Sequence, residues 1–274
     1  MPEGDSAYRA AHHLARALAK REVTEFSLRV PAHATADLRG ARIRGAESRG
    51  KHVLLRIGEF TVQSHLGMDG AWRLVPPGPA GQRQWPARHR LRAVIGTDEV
   101  LALGIDLAKL ALWRTRDEER HLGWLGPDLL GEAPDLEEAT RRILAEPGRP
   151  LTAALLDQGN VAGLGNEYVT ELLFLRGIRP DRVVADVEDV PALLAHAREL
   201  MLANRDRVGR TFTGNPRPGQ RSYVFGRAGE PCRRCGTRIL EGTHASGVRD
   251  HRGADGKGPG GTRRAAWCPR CQPR

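Results

Sequence analysis

Met1-Pro2-Glu3-Gly4-Asp5-Ser6-Ala7-Tyr8-Arg9-Ala10-Ala11-His12-His13-Leu14-Ala15-Arg16-Ala17-Leu18-Ala19-Lys20 opens the chain, and its contrast with the next hundred residues decides the architecture. From Gly4 to Lys20 the apolar residues Ala7, Ala10, Ala11, Leu14 and Leu18 recur at the spacing of one helical face in an alanine-rich segment, which predicts an amphipathic helix. Beyond it the period changes. Val23–Val30, Ala41–Ala46, Lys51–Ile57, Phe60–Leu66, Ala71–Val75, Leu91–Ile95, Val100–Leu103 and Leu110–Trp113 are short β-rich runs separated by Gly, Pro and charged turns. Six to eight strands so closely spaced predict a β-sandwich or a barrel.

The stretch Arg114–Pro134 mixes charges, Gly and Pro and reads as a linker. After it Asp135 begins a helix with Glu137 and Glu138 in its first turn and Arg141 and Arg142 near its end, an arrangement that suits the helix dipole. Leu151–Asp157, Gly165–Arg176 and Val190–Arg207 are the other helical segments, the last carrying Leu193, Leu194, Ala197, Leu200 and Met201 on one face. From about Phe212 the chain is rich in Gly, Pro and Arg and holds every cysteine, so β-ribbon and loop are expected there. No internal repeat is present.

Charge separates the tail from the rest. The 274 residues carry a formal net charge of +10, yet residues 1–200 hold 27 Lys+Arg against 28 Asp+Glu, and residues 201–274 hold 16 against 5. A basic tail of this kind is an electrostatic footprint for a polyanion, nucleic acid first and an anionic membrane surface second. Only Lys20, Lys51, Lys109 and Lys257 are lysines, so arginine content carries little information and each lysine invites a question. Uninterrupted apolar stretches fall short of the ~18 residues of a membrane span. Glu3 and Asp5 stand where a secretory signal would need a basic flank. A soluble, cytoplasmic protein is expected, and 40% hydrophobic residues exclude a wholly disordered chain.

Cys232, Cys235, Cys268 and Cys271 are spaced C-x2-C-x32-C-x2-C. Two such knuckles, with Gly236 after the first and Pro269 inside the second, fit a tetrahedral four-thiolate zinc site of the ribbon type. The alternative, two disulfides, is one that a cytosolic chain would not normally keep. One structural Zn2+ per chain is therefore expected, folding the tail and performing no chemistry. The interior is longer than in a usual ribbon, and its Gly-rich piece from Gly253 to Gly261 reads as an insertion at a hairpin tip.

Pro2 becomes the N-terminal residue once Met1 is removed. Its secondary amine is then a nucleophile, with a reference pKa near ~7.7–8.0 for α-amines, able to attack a carbonyl-like carbon and form an iminium. Glu3 beside it is available as general acid or base. Taken alone the pair reads as ordinary capping of the first helix.

Further segments fit one pattern in order: Met1-Pro2-Glu3-Gly4 opening a helix, Gly50-Lys51 opening a strand, Ser64-His65-Leu66-Gly67-Met68-Asp69-Gly70 at a hairpin, Leu155-Leu156-Asp157-Gln158 leading through Gly163-Leu164-Gly165-Asn166-Glu167-Tyr168 to a helix, and Phe225-Gly226-Arg227-Ala228-Gly229-Glu230-Pro231-Cys232 leading into the cysteines. Together they resemble the formamidopyrimidine-DNA glycosylase and endonuclease VIII family, over the whole chain. The resemblance implies an α+β multidomain fold: N-terminal helix plus β-sandwich over 1–118, a linker over 119–133, a helix-two-turn-helix domain over 134–222 and a C-terminal zinc ribbon over 223–274. It implies a monomer acting on damaged DNA, duplex or single-stranded, at the bacterial nucleoid, with the DNA in a cleft between two lobes.

Carried over residue by residue, the resemblance makes Pro2 the nucleophile at the sugar C1′, Glu3 its acid/base partner and Lys51 a phosphate-holding lysine that positions the sugar, against a plain edge lysine. β,δ-Elimination then cuts the strand on both sides. Asn166, after a glycine turn that exposes backbone N–H groups, grips the strand; a simple N-cap is the alternative. A dinucleotide fingerprint is excluded because Tyr168 stands where a third Gly is required. Glu171 falls where the family has a carboxylate near the amine, against a surface helix acid. Arg263, five residues before Cys268, with Arg264 beside it, matches a hairpin arginine that contacts DNA. Met68 matches a residue that enters the base stack.

The segment Gly104-Ile105-Asp106-Leu107-Ala108-Lys109 lacks the paired arginines and phenylalanine of the guanine-specific branch, and with Asp5 it places the chain closer to endonuclease VIII and oxidised pyrimidines. His65-Leu66-Gly67-Met68 is itself similar to the guanine branch. A non-catalytic zinc-ribbon protein that recognises damaged or single-stranded DNA is the alternative function.

Overall fold

The computed structural model describes residues 2–245 and 262–273, so the insertion expected at 253–261 lies outside the described residues. The chain forms two compact units, Met1–Gly123 and Trp124–Arg274.

In the first unit α1 (Gly4–Leu18) precedes β1 (Glu25–Leu28), β2 (Ile43–Arg49), β3 (His52–Ile57), β4 (Phe60–His65), β5 (Ala71–Val75), β6 (Leu91–Gly96), β7 (Leu101–Ile105) and β8 (Lys109–Arg114). Of the two architectures the strand pattern allows, the sandwich is found. It consists of two antiparallel four-stranded sheets in the orders β1-β6-β7-β5 and β2-β3-β4-β8. Alternation puts Val53, Leu55, Ile57 and Val62 of one sheet against Ala93, Ile95 and Ala102 of the other. Ala7, Ala11, Leu14 and Leu18 of α1 close the same core, as the helical period requires, each large apolar side chain contributing roughly 1.5–3 kcal/mol. Two residues past the end of α1, Lys20 takes φ +69° and donates its N–H to Ile43 O at 2.8 Å, pinning the exit of the helix to β2. Strand boundaries differ from expectation by a few residues: Val23–Val30 shortens to β1, and Ala41–Ala46 moves toward β2 because Glu22 and Arg42 pair only as an isolated bridge.

A one-turn helix, α2 (Pro79–Gln82), separates β5 from β6, and α3 (Glu118–Leu122) follows β8. The stretch after β8 is not bare connector: Leu122, Leu125, Leu129 and Leu130 are buried, and the division between the units falls among them.

The second unit holds α4 (Leu136–Leu144), α5 (Leu151–Leu156), α6 (Asn166–Leu175) and α7 (Val190–Asn204), then β9 (Leu240–Ala245) paired with β10 (Thr262–Trp267). Asp135 caps α4 by accepting the Glu138 N–H at 2.9 Å, and Asp189 caps α7 through the Ala192 N–H at 2.8 Å. Helix α6 is the centre of the unit. Tyr168, Val169, Leu172, Leu173 and Phe174 are all buried on it, which is why it shows no polar face. Phe174 continues into a small core with Val224, Ile239, Ala266, Cys232 and Cys268, joining the helices to the cysteine-bearing hairpin. Among the described residues no helix is long and apolar enough to cross a membrane.

Candidate active site and nucleic-acid contacts

Pro2 is half-buried and leads straight into α1. Glu3 begins that helix, its carbonyl taking the N–H groups of Ser6 and Ala7 at 3.0 and 3.1 Å. Its side chain makes no capping bond, although it is 1% exposed. Ordinary capping therefore does not explain the carboxylate. It is buried at the positive end of the helix dipole, directly after the residue whose amine is in question.

Lys51 occupies a two-residue loop between β2 and β3, not the strand itself. Arg49 pairs with His52 across it, and Gly50 takes φ +58°, the left-handed conformation such a loop demands of its first residue. Because ladders hold both sides of this loop, the lysine stands on a rigid base. Met68 lies in the β4–β5 connection with 62% of its surface exposed, while Leu66 two residues earlier is buried. The tip is fixed by Gly67 N–H to His65 Nδ1 at 3.0 Å and by Gly70 N–H to Leu66 O at 2.9 Å. A Cβ on Gly70 would stand 2.1 Å from Leu66 O and 2.9 Å from Asp106 O, both backbone atoms that cannot yield cheaply. Gly70→Ala is expected to destabilise the first unit by about 1–3 kcal/mol, read as a lowered Tm, with Met68 mispresented in whatever folds. An unchanged Tm would show that the tip relaxes freely.

In the second unit Gln158 makes three of the bonds that tie the turn before α6. Gln158 donates to Leu156 O and Leu164 O at 3.0 and 2.9 Å and accepts the Gly163 N–H at 3.0 Å, with Gly163 at φ +106°. The N-cap of α6 is Gly165, so the capping alternative for Asn166 does not hold. Asn166 is the first helical residue. Its Nδ2 donates to Arg264 O at 2.8 Å, linking the helix N-terminus to β10, and its Oδ1 is buried without a partner among the described residues.

Glu171 is 0% exposed, which excludes the surface-acid reading. Its carboxylate accepts the N–H groups of Tyr223, Val224 and Phe225 at 2.7–2.8 Å. Burial pushes this carboxyl up, and the three amide bonds pull it part of the way back. Its visible work is to hold the chain entering the cysteine tail.

On the hairpin, Arg263 pairs with His244 and Arg264 with Thr243, so alternation sends the two arginines to opposite faces. Arg264 is the more exposed and lies 3.5 Å from Glu241, whereas Arg263 is half-buried on the face that carries Trp267. Only one of them can serve a strand lying along one face.

The four cysteines converge. Sulfur separations are 3.9 Å for Cys232–Cys271, 3.4 Å for Cys235–Cys268 and 3.5 Å for Cys235–Cys271, with no disulfide and all four within 4.8 Å. Tetrahedral thiolates at a metal–sulfur distance of ~2.3 Å lie about 3.8 Å apart, so the set fits a metal ion. Hydrogen bonds from Thr237 bring the Cys235 thiol down to about 6, while burial pushes Cys268 and Cys271 up. Gln272 accepts the Cys268 N–H at 3.0 Å and donates to Ile178 O at 2.7 Å, anchoring the second knuckle beyond the end of α6. Gln272 does not stand out in the sequence, and Gln158 does so only as part of the quoted motif, since each acts on backbone groups.

A model described as the formamidopyrimidine-DNA glycosylase N-terminal domain matches residues 1–110, and one described as the formamidopyrimidine-DNA glycosylase H2TH domain matches 125–205. The probable endonuclease 8 2 of Streptomyces coelicolor is 42% identical, covering 99% of this chain and 94% of its own. The DNA-(apurinic or apyrimidinic site) lyase Nei2 of Mycolicibacterium smegmatis is 40% identical, covering 99% of both. The formamidopyrimidine-DNA glycosylase of Cronobacter sakazakii is 32% identical over 84% of this chain and 82% of its own. Among solved structures, Lactococcus lactis Fpg bound to abasic-site DNA superposes with a TM-score of 0.77 at 22% identity, covering 99% of this chain and all of that one, a likeness of fold.

Proposed function

Because the chain belongs to the formamidopyrimidine-DNA glycosylase and endonuclease VIII family, we propose that it is a bifunctional DNA glycosylase and abasic-site lyase of base excision repair, working on DNA at the nucleoid. The observation that carries the chemistry is the buried, non-capping carboxylate of Glu3 next to Pro2 at the start of α1.

The unprotonated Pro2 nitrogen attacks C1′ of the damaged nucleotide, and the base leaves with the electrons of the glycosidic bond and gains a proton. Glu3 delivers a proton to the sugar ring oxygen as the ring opens, leaving an iminium between the proline nitrogen and C1′. A secondary amine makes this iminium obligatorily cationic, an electron sink that acidifies C2′–H. Loss of that proton expels the 3′ phosphate, loss of the C4′ proton expels the 5′ phosphate, and water then releases the sugar fragment. Lys51 and Asn166 hold phosphates as fixed donors, Arg263 or Arg264 adds a charge from the hairpin, and Met68 fills the space left by the extruded nucleotide. Cys232, Cys235, Cys268 and Cys271 would hold a zinc ion whose contribution is structural. Oxidised pyrimidines are the preferred bases on this reading, as the resemblance to the endonuclease VIII branch implies, and relatives at 38–42% identity named endonuclease 8 place the chain nearer that branch.

Borohydride trapping tests this. A duplex with one abasic site should give a covalent adduct at the N-terminal peptide, and thymine glycol should be released in preference to 8-oxoguanine. No adduct, together with salt-sensitive DNA binding, would leave only a DNA-binding protein.

A further inference from the structure

Lys51 and Met68 stand on the two loops at one end of the sheet β2-β3-β4-β8, and a buried polar chain that the proposed reaction leaves unused runs beneath them. Register places His52 opposite His65 and His65 opposite Lys109, so the three form a row across β3, β4 and β8 on one face of the sheet. On the same face Gln63 and Trp113 lie two and four residues further from the loops. Trp113, Gln63 and His52 are all buried.

Their hydrogen bonds can run in only one direction. An indole has a donor and no acceptor, so Trp113 Nε1 donates to Gln63 Oε1 at 3.2 Å and leaves Gln63 Nε2 to donate to His52 Nδ1, also at 3.2 Å. Accepting at Nδ1, a neutral His52 carries its proton on Nε2. The far end of the chain is held by Trp113 stacking on His121 of α3 at 5.1 Å, with the Arg56 guanidinium 6.0 Å from the indole ring. At the near end the His52 ring meets His65 edge to face at 5.3 Å, and His65 holds the Met68 tip through the Gly67 N–H. Burial, and after it the charges of His65, Lys109, Lys51 and Arg49, hold His52 well below the usual histidine range, in its neutral form.

An apolar trio would fill this space with no polar group to satisfy, so the polar chain fixes geometry at a site where stability alone does not ask for it. We propose that His52 is a positioning residue: held by Gln63, it sets the Gly50-Lys51 loop and, through His65, the Met68 tip, so that ammonium and thioether meet the damaged strand in one fixed relation. This rests on the glycosylase and lyase reaction proposed above.

The test uses the full-length, zinc-loaded protein. Single-turnover cleavage of an abasic-site duplex is measured at saturating enzyme, and Kd by fluorescence anisotropy on a duplex bearing a reduced abasic site. His52→Phe keeps the ring and removes the acceptor. Its rate should fall roughly 10- to 100-fold, with Kd changing less than about threefold, because most phosphate contacts lie elsewhere. His52→Asn, which offers Oδ1 near the position of Nδ1, should recover most of the rate. In a Lys51→Ala background His52→Phe should cost much less than in the wild type, only the part that acts through the Met68 tip being left. Gln63→Met, which cuts the chain one step earlier and keeps the volume, should reproduce the loss if His52→Phe folds poorly. Additive losses, an Asn variant no better than Phe, or a Phe variant as fast as wild type would overturn the role alone. A wild type that cleaves no abasic strand overturns the reaction and the role together.

Discussion

Protein that retains a residue ahead of Pro2, whether uncleaved Met1 or an N-terminal tag, is expected to give no borohydride adduct and to cleave an abasic-site duplex at least about a thousandfold more slowly than the processed form. Acylation turns the secondary amine into an amide whose lone pair is delocalised into the carbonyl, so no nucleophile is left at that position. The variant Pro2→Gly separates having an amine there from having a secondary one. It keeps an α-amine at the same backbone site and so can still form an imine, but that imine must gain a proton to become the cation that proline supplies at once. Its rate should lie between those of the processed and blocked proteins. Binding should hardly change in either case, because the basic tail is untouched and the residues before 201 carry no excess positive charge. Intact-mass analysis of the preparation and single-turnover kinetics give the two numbers needed. A tagged protein that cleaves as fast as the processed one would place the nucleophile elsewhere.

What the sequence alone made visible is what depends on local order. The helix at Gly4–Leu18 comes from its own period, and the four cysteines declare a metal site by spacing alone. The glycine turn before α6 is likewise local. Features set by register were not visible. Lys51 reads as the opening of a strand, and only the Arg49–His52 pair shows that it sits in the loop. Adjacent in sequence, Arg263 and Arg264 look interchangeable until pairing with β9 puts them on opposite faces. The Trp113-Gln63-His52 chain joins residues 50 and 11 positions apart, and each member taken singly is an ordinary buried side chain. Glu171 shows the same limit from the other side: the resemblance flagged the position, but its three backbone partners lie more than fifty residues away. The leucines at 122, 125, 129 and 130 were hidden by the Gly, Pro and charge around them, which composition reads as a connector.

Stripping the metal with a strong chelator should unfold the chain from about residue 223 onward and lower DNA affinity by about a hundredfold or more, while the first unit keeps its structure. Apart from the cysteines, the core of the tail is Phe174, Val224, Ile239 and Ala266 with Tyr223 against it. At roughly 1.5–3 kcal/mol for each large apolar side chain, that is a slight core for the loop and hairpin it must hold. A structural zinc, contributing on the order of 10–16 kcal/mol at neutral pH, would stabilise the tail at least as much as that core does. Loss of the tail also removes the amides of Tyr223, Val224 and Phe225 from Glu171, leaving a buried carboxylate without those donors, so damage should reach α6. The metal binds thiolates, and burial holds Cys268 and Cys271 above the ordinary thiol range, so protons compete and affinity for zinc must fall as pH falls. Limited proteolysis read by mass spectrometry should show new cuts only beyond residue 205 at first, with anisotropy on an abasic-site duplex reporting the loss of binding. Because 16 of the 43 basic residues lie in 201–274 against only 5 of the 33 acidic ones, a metal-free protein that kept its affinity would mean that this charge works without being folded. In that case the hairpin arginines would act as bulk electrostatics and not as placed contacts.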